Sequence, residues 1–255
     1  MNCSPLLISI FGIVSAFAAD HQYECGKNEK VKRPYGWVEL EIDCGSRRNN
    51  IFSRAEYKTG KQHGFQIGYD TLWRKKDSSF FVNGKKEGNV LFWDTLGNVI
   101  SRSTYRLGVQ FGKDENYWSP GHPSVIMYYN AKGEENGPCD KWWPNGTKRS
   151  EGKYKDGQLL TLKEYYPNGA ARMQFTGKYE RKQPATLKDK HVQGETWGPN
   201  GKSAGKIVDG NGSWIRFPDG SDSTNTKVFR EVYKDSVLLD IQPLNAAEIE
   251  KWQKP

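Results

Sequence analysis

The side chains able to do chemistry in this chain are few and scattered. Histidine occurs four times, as His21, His63, His122 and His191, and no two stand at the spacing of a zinc-binding pair on one helix. The cysteines Cys25, Cys44 and Cys139 form no CxxC pair, and Cys3 lies ahead of the apolar leader. Adjacent carboxylates occur at Asp114-Glu115 and Glu134-Glu135, but neighbours on a strand point to opposite faces and cannot share a proton. The glycine-rich stretch Asp209-GNGSW lacks the lysine and the following helix of a phosphate cradle, and fits a hairpin turn. These residues point to no catalytic centre, cofactor or metal. The one chemically suggestive pattern is rings interleaved with cations, in Trp73-RKKDSSFF and Lys141-WWPNGTKR; separately, Asp114-ENYWSPGHPS inserts two prolines and a histidine where a plain hairpin belongs. Rings beside cations stack on sugars and contact anions. Trp73, Arg74, Trp118, His122, Trp142 and Trp143 are therefore the candidate ligand surface, against the plainer expectation that the rings pack the core.

What must position these residues is a repeat. Every 24 or 25 residues an aromatic heads a glycine-punctuated phrase: Tyr57-KTGKQHG, Phe81-VNGKKEG, Tyr105-RLGVQFG, Tyr129-NAKGEENG, Tyr154-KDGQLLT and Tyr179-ERKQPAT. Midway between them a second series pairs an aromatic with a turn, at Tyr69-DTL, Trp93-DTLG, Trp118-SPG, Trp143-PNG, Tyr166-PNG, Trp197-GPNG and Phe217-PDG. A fixed period of this length marks an array whose single units cannot bury a face alone. Alternating polar and apolar runs broken at Asn-Gly or Asp-Gly are hairpin signals. The expected fold is all-β: an elongated array of antiparallel hairpins, fourteen or so strands, with Gly64, Gly88 and Gly112 leaving room for aromatics of neighbouring strands. Asn245-AAEIEKWQK predicts a short C-terminal helix, with Asn245 and Glu248 forming a capping box, laid over the last strand Val237-LLDI. The period slips in Asp114–Ser124 and Gln183–Glu195, and such insertions often carry function.

Composition agrees with a thin sheet. Hydrophobic residues make up 35% of the chain, below the share of a thick-cored domain, and nine Trp, thirteen Tyr and eleven Phe supply the burial. The net charge is 38 − 30 = +8, spread without a basic tail. Leu6-LISIFGIVSAFA ending in Ala16-Phe17-Ala18-Ala19 predicts an export signal over 1–19, hence a periplasmic or secreted protein. In that compartment Cys25 and Cys44 are expected to form a disulfide stapling a capping segment, 20–51, ahead of a repeat array, 52–235, and a C-terminal strand and helix, 236–255. Cys139 is then the odd thiol. Asn145-GT and Asn211-GS match the glycosylation sequon, but both asparagines are turn residues.

At Tyr57-KTGKQHGFQIGY and Phe81-VNGKKEGNVLFWDTLGNVISRSTYRLG, and over roughly 52–235, the chain resembles MORN repeat proteins of the second, mostly bacterial type, often labelled antitoxin-like. The resemblance implies a β-hairpin array that serves as an interaction surface and no catalytic residue. The expected function is a non-enzymatic, exported scaffold for a protein partner. The alternatives are binding of a glycan, peptidoglycan or anionic lipid of the envelope, and an immunity-like role beside a secreted toxin. Export disfavours nucleic acid.

Overall fold

The computed structural model describes residues 28–33, 36–45, 49–70, 72, 74–179, 193–218 and 227–253, with the backbone alone for 28–54, 178–179 and 253. The expected signal segment, Cys25, Trp73 and His191 lie outside the described residues, as does 183–192.

Among the described residues eighteen strands form one sheet. They are β1 (Asn28–Arg33), β2 (Gly36–Gly45), β3 (Asn49–Lys58), β4 (Lys61–Tyr69), β5 (Lys75–Val82), β6 (Lys85–Trp93), β7 (Val99–Arg106), β8 (Val109–Ser119) and β9 (His122–Tyr129). The second half continues with β10 (Gly137–Trp142), β11 (Lys148–Lys155), β12 (Gln158–Tyr165), β13 (Ala171–Tyr179), β14 (Gln193–Trp197), β15 (Ser203–Val208), β16 (Asn211–Arg216), β17 (Phe229–Lys234) and β18 (Val237–Pro243). Each strand pairs antiparallel with the next in sequence, an unbroken meander. The segment expected as a cap joins the same sheet: the strand expected at Gly36-WVELEID is β2, and β1 pairs with it. No disulfide is found among the described residues; the expected Cys25–Cys44 pair falls outside them, with only the backbone of Cys44 described, and Cys139 is a buried thiol.

The strand ends fall into two rows. Along one row the hairpins close through two residues that both have positive φ, at Thr59-Gly60, Asn83-Gly84, Leu107-Gly108, Asp156-Gly157, Asp209-Gly210 and Asp235-Ser236. Along the other they close through a three-residue loop, which at Gly97, Gly146, Gly169 and Gly201 ends in a left-handed glycine, as where Asp94 N–H donates to Asn98 O at 2.9 Å. The hairpin β8–β9 exchanges the two designs. It closes through Pro120-Gly121 where a wide loop belongs, and the following connection, expected as a tight turn, is a wide one closed between Asn130 and Glu134.

Residues opposite one another in register share a face. In the first four phrases the second glycine stands opposite the aromatic of the next, as Gly64 opposite Phe81, Gly88 opposite Tyr105 and Gly112 opposite Tyr129; the phrases at Tyr154 and Tyr179 lack it. The pairing is as expected but its reason differs. A Cβ on Gly88 or Gly112 would meet no atom within 4 Å; their φ values of +74° and +77° are what a side chain resists. The opposite face carries ion pairs, among them Lys113–Glu115, Lys148–Asp140, Lys163–Glu151 and Lys206–Glu195.

Burial concentrates in the C-terminal half. Phe175, Ile207, Trp214 and Tyr233 pack into one cluster, with Trp214 edge-on to Tyr233 at 5.5 Å. Within it the buried Glu231 carboxylate accepts hydrogen bonds from Trp214 Nε1 (2.8 Å) and the Tyr233 hydroxyl (3.0 Å), which satisfies a charge that burial alone would penalise. Tyr166, Ala204, Ile215, Phe217, Val228 and Trp252 form a second cluster under helix α1 (Ala246–Gln253). The capping box is as expected: Glu248 N–H donates to Asn245 Oδ1, and Asn245 N–H donates to Glu248 Oε2. The position of α1 is not. Instead of covering β18 it folds back over the wide loops, where Trp252 seats its Cβ against Gly198 and donates from Nε1 to Ser203 O, and Val237, Leu239 and Ile241 stay exposed.

Candidate interaction edge

The wide loops hold themselves closed in two ways, distinguished by where an Asp or Asn stands. In the first, the capping side chain is at the first loop position: Asp70 Oδ1 accepts from Leu72 and Arg74 N–H, and Asp94 Oδ1 from Leu96 and Asn98 N–H. The cap leaves the third position unconstrained. It is leucine in both loops, and Leu72 and Leu96 are 69% and 85% exposed. In the second, the cap is an asparagine at the third position: Asn145, Asn168 and Asn200 accept from Thr147, Ala170 and Lys202 N–H. The first position is then given to Trp143 or Tyr166, both buried, or to Gly198, against which Trp252 seats. Asn145 and Asn200 also reach sideways, donating from Nδ2 to Pro167 O (2.9 Å) and Lys251 O (3.0 Å).

Both kinds of loop impose electrostatics. Asp70 is held below the usual carboxylate range by the Arg74 backbone N–H, and Asp94 by the Asn98 side chain and then its backbone N–H. Among the packed loops, burial pushes the Tyr166 phenol up to about 12, and its hydroxyl donates to Trp197 O at 2.9 Å.

Of the six candidate residues, three come together. Trp118, half-exposed at the end of β8, donates from Nε1 to Trp142 O at 3.0 Å, and His122 stands at the same hairpin tip. Lys148 Nζ lies 5.7 Å from the centre of the Trp142 ring. Trp143 faces inward: it is 5% exposed, donates to Tyr165 O and lies under the Arg149 guanidinium at 4.6 Å, so it packs the loops rather than meeting a ligand. Arg74 is likewise committed, to Asp70 and, two strands on, to Thr95 O at 2.9 Å. Trp73 lies outside the described residues.

A hydroxyl beside an imidazole begins a nucleophile–base pair, and Ser119 Oγ lies 3.1 Å from His122 Nδ1. The same nitrogen lies 3.1 Å from Pro120 O. In the tautomer that carries its proton on Nδ1 the ring donates to that carbonyl and closes the turn; in the other it accepts from the serine hydroxyl. Among the described residues no group of three His, Cys, Asp or Glu side chains is arranged to hold a metal, and no helix is long and apolar enough to cross a membrane.

The sequence expectation missed Leu72 and Leu96, which it passed over as ordinary turn residues. The signal was present: where Asp heads a D-T-L turn it caps the loop itself and frees the third residue. It also missed that His63, Glu87, Asn136 and Asn211 fill one repeated role. Each accepts from the first N–H of the next two-residue turn, at Asn83, Leu107, Asp156 and Asp235.

The outward row of the first half therefore runs Leu72, Leu96, Trp118, one apolar tip per hairpin, with the cations Arg74 and Lys148 near its ends. The chain matches no protein-family model and no curated protein.

Proposed function

We propose that this chain is a non-enzymatic, exported repeat scaffold whose first-half loop edge binds a protein partner. The observation that carries it is the row Leu72, Leu96 and Trp118. Single exposed apolar residues are ordinary on a protein surface, but a row recurring once per hairpin on a rigid ladder is the form of an interaction site. The resemblance to MORN-type arrays supports the same function. A photo-crosslinking residue placed at 72, 96 or, as a control, 168 tests it in the native envelope fraction. We expect one protein to be captured from 72 and from 96 and not from 168, with capture from 72 weakened by Leu96→Ser and capture from 96 weakened by Leu72→Ser. Equal capture from all three positions, or none, overturns it.

A second function has its own support. The half-exposed Trp118 ring, with His122 beside it and Lys148 over Trp142, suits stacking on a sugar with an anionic group, as in an envelope glycan. Salt-sensitive retention on isolated peptidoglycan, lost in Trp118→Ala and kept in Leu72→Ser/Leu96→Ser, would favour the glycan over the protein partner.

A further inference from the structure

The sheet face that carries the glycines is hollowed at one place. On β10 and β11 the positions turned to this face read Gly137, Cys139, Lys141 and Ser150, Gly152, Tyr154, with Cys139 opposite Gly152, Lys141 opposite Ser150 and Gly137 opposite Tyr154. Four of the six are small. The hollow has a volume of about 190 Å³, with Leu159 and Leu162 of β12 on one side, Glu135 and Gly157 at the end nearer the two-residue turns, and Lys141 and Glu164 at the other. Drug-sized ligands occupy roughly 300–1,000 Å³, so this space suits about one amino-acid side chain.

Its charges give it a direction. Glu164 is already engaged by Arg172. Glu135, half-buried beside Tyr154, and Lys141, half-buried at the far end, have no ion pair among the described residues. Tyr129, paired through its backbone with Glu135, has its phenol pushed up by burial first and then by the charges of Asp114 and Glu135. The Glu135 end stands out on a chain of net charge +8.

We infer that this hollow receives the side chain of one lysine or arginine from a partner protein, its methylene stem on Leu159 and Leu162 and its cationic head against Glu135 beside Tyr154. A carboxylate and an aromatic ring together favour a cation over a neutral group, and long basic side chains bury an apolar stem while the head stays charged. Lys141 repels a cation from the opposite end and so fixes which way the side chain enters. This goes beyond the loop-edge proposal and uses a different surface, the face of the sheet.

The test follows the Leu159 and Leu162 methyl resonances of the full chain while N-acetyl-lysine methylamide, its arginine and glutamate counterparts, and the norleucine counterpart are titrated in turn. We expect saturable shifts with lysine and arginine, at least tenfold weaker ones with norleucine, and none with glutamate. Glu135→Gln, a change on a connecting segment, is expected to weaken the lysine response about tenfold, and Lys141→Gln to strengthen it. Norleucine equal to lysine, a response indifferent to Glu135→Gln, or absence of any saturable shift overturns the inference. Spermidine binding as tightly as the lysine and arginine probes would make the occupant a free polyamine and overturn it as well. Leu72→Ser/Leu96→Ser should leave the titration unchanged, which separates failure here from failure at the loop edge.

Discussion

The wide loops of the first half and those of the second half close hairpins of one meander, yet they spend their side chains differently. Around β4–β7 the aspartates Asp70 and Asp94 turn inward on their own loops and push a leucine out. Around β10–β15 Asn145 ties its loop to the next one and Asn200 ties its loop to α1, Trp143 and Tyr166 fill the space between, and α1 closes the row. Moving one cap by two positions thus separates an edge that faces outward from an edge that is core. The difference teaches that exposure here follows from where the loop places its acceptor, not from how apolar the loop is.

The largest test of that contrast is Trp214→Ala. It removes the centre of the second-half cluster and a donor to the buried Glu231, and should cost about 3–5 kcal/mol in chemical denaturation. A loss under about 1 kcal/mol would mean the two halves are equally thin. Next come two glycine substitutions. A Cβ on Gly205 would lie 2.3 Å from Ser213 O, so Gly205→Ala meets backbone as well as a φ of +132°. We expect roughly 1–3 kcal/mol from overcrowding added to the backbone term. Gly88→Ala meets open space and should cost only the backbone term, about 1–2 kcal/mol. Equal losses at the two sites would remove the packing difference between the halves.

Asn200→Ala should cost about 1–2 kcal/mol, since it breaks both the loop closure to Lys202 and the bond to Lys251 O. Amide exchange should rise over α1 as well as in the loop. Asp94→Ala, by contrast, should loosen only residues 94–98.

Acid separates the two loop designs without mutation. Carboxylates held low in the folded state stabilise it above their unfolded value of 3.8 and lose that contribution as pH falls through the lowered folded value. Amide protection at Leu72 and Leu96 should therefore fall in that range, while Thr147, Ala170 and Lys202, capped by asparagines that do not titrate, keep theirs. Asp77 runs the other way. Burial raises its pKa, so its ionisation opposes folding as pH rises above 3.8, and Asp77→Asn should stabilise the chain slightly at neutral pH, an advantage that disappears in acid.

Hairpins, their spacing and the helix cap were legible because each rests on contacts close in sequence: Asn-Gly and Asp-Gly fix φ, and Asn245 with Glu248 needs only four residues. The exchange of turn designs at β8–β9 was hidden by likeness of spelling. Tyr129-NAKGEENG reads like Tyr57-KTGKQHG, but Asn130 Oδ1 accepts from Lys132 and Glu134 N–H and draws the chain into a wide loop. Trp142 and Trp143 stand side by side in the sequence and are alike in type. A register shift between Lys141 and Trp142 marks where they part, one half-buried and the other in the core, and such an irregularity has no signature in one sequence. The path of α1 depends on Gly198 admitting Trp252, a contact between residues 54 positions apart along the chain.

Neighbouring two-residue turns are also joined directly. Gly84 N–H donates to Gln62 O, Gly108 to Lys86 O and Ser236 to Gly210 O, and Gly157 donates in the same way to Glu135 O beside the wide β9–β10 loop, at 2.7–3.0 Å. Both partners are main chain, so the joint asks nothing of the side chains on either side of it. A hairpin can be copied, lost or exchanged between positions without mending the seam, and the number of units is free to drift as a gene lengthens or shortens by whole repeats.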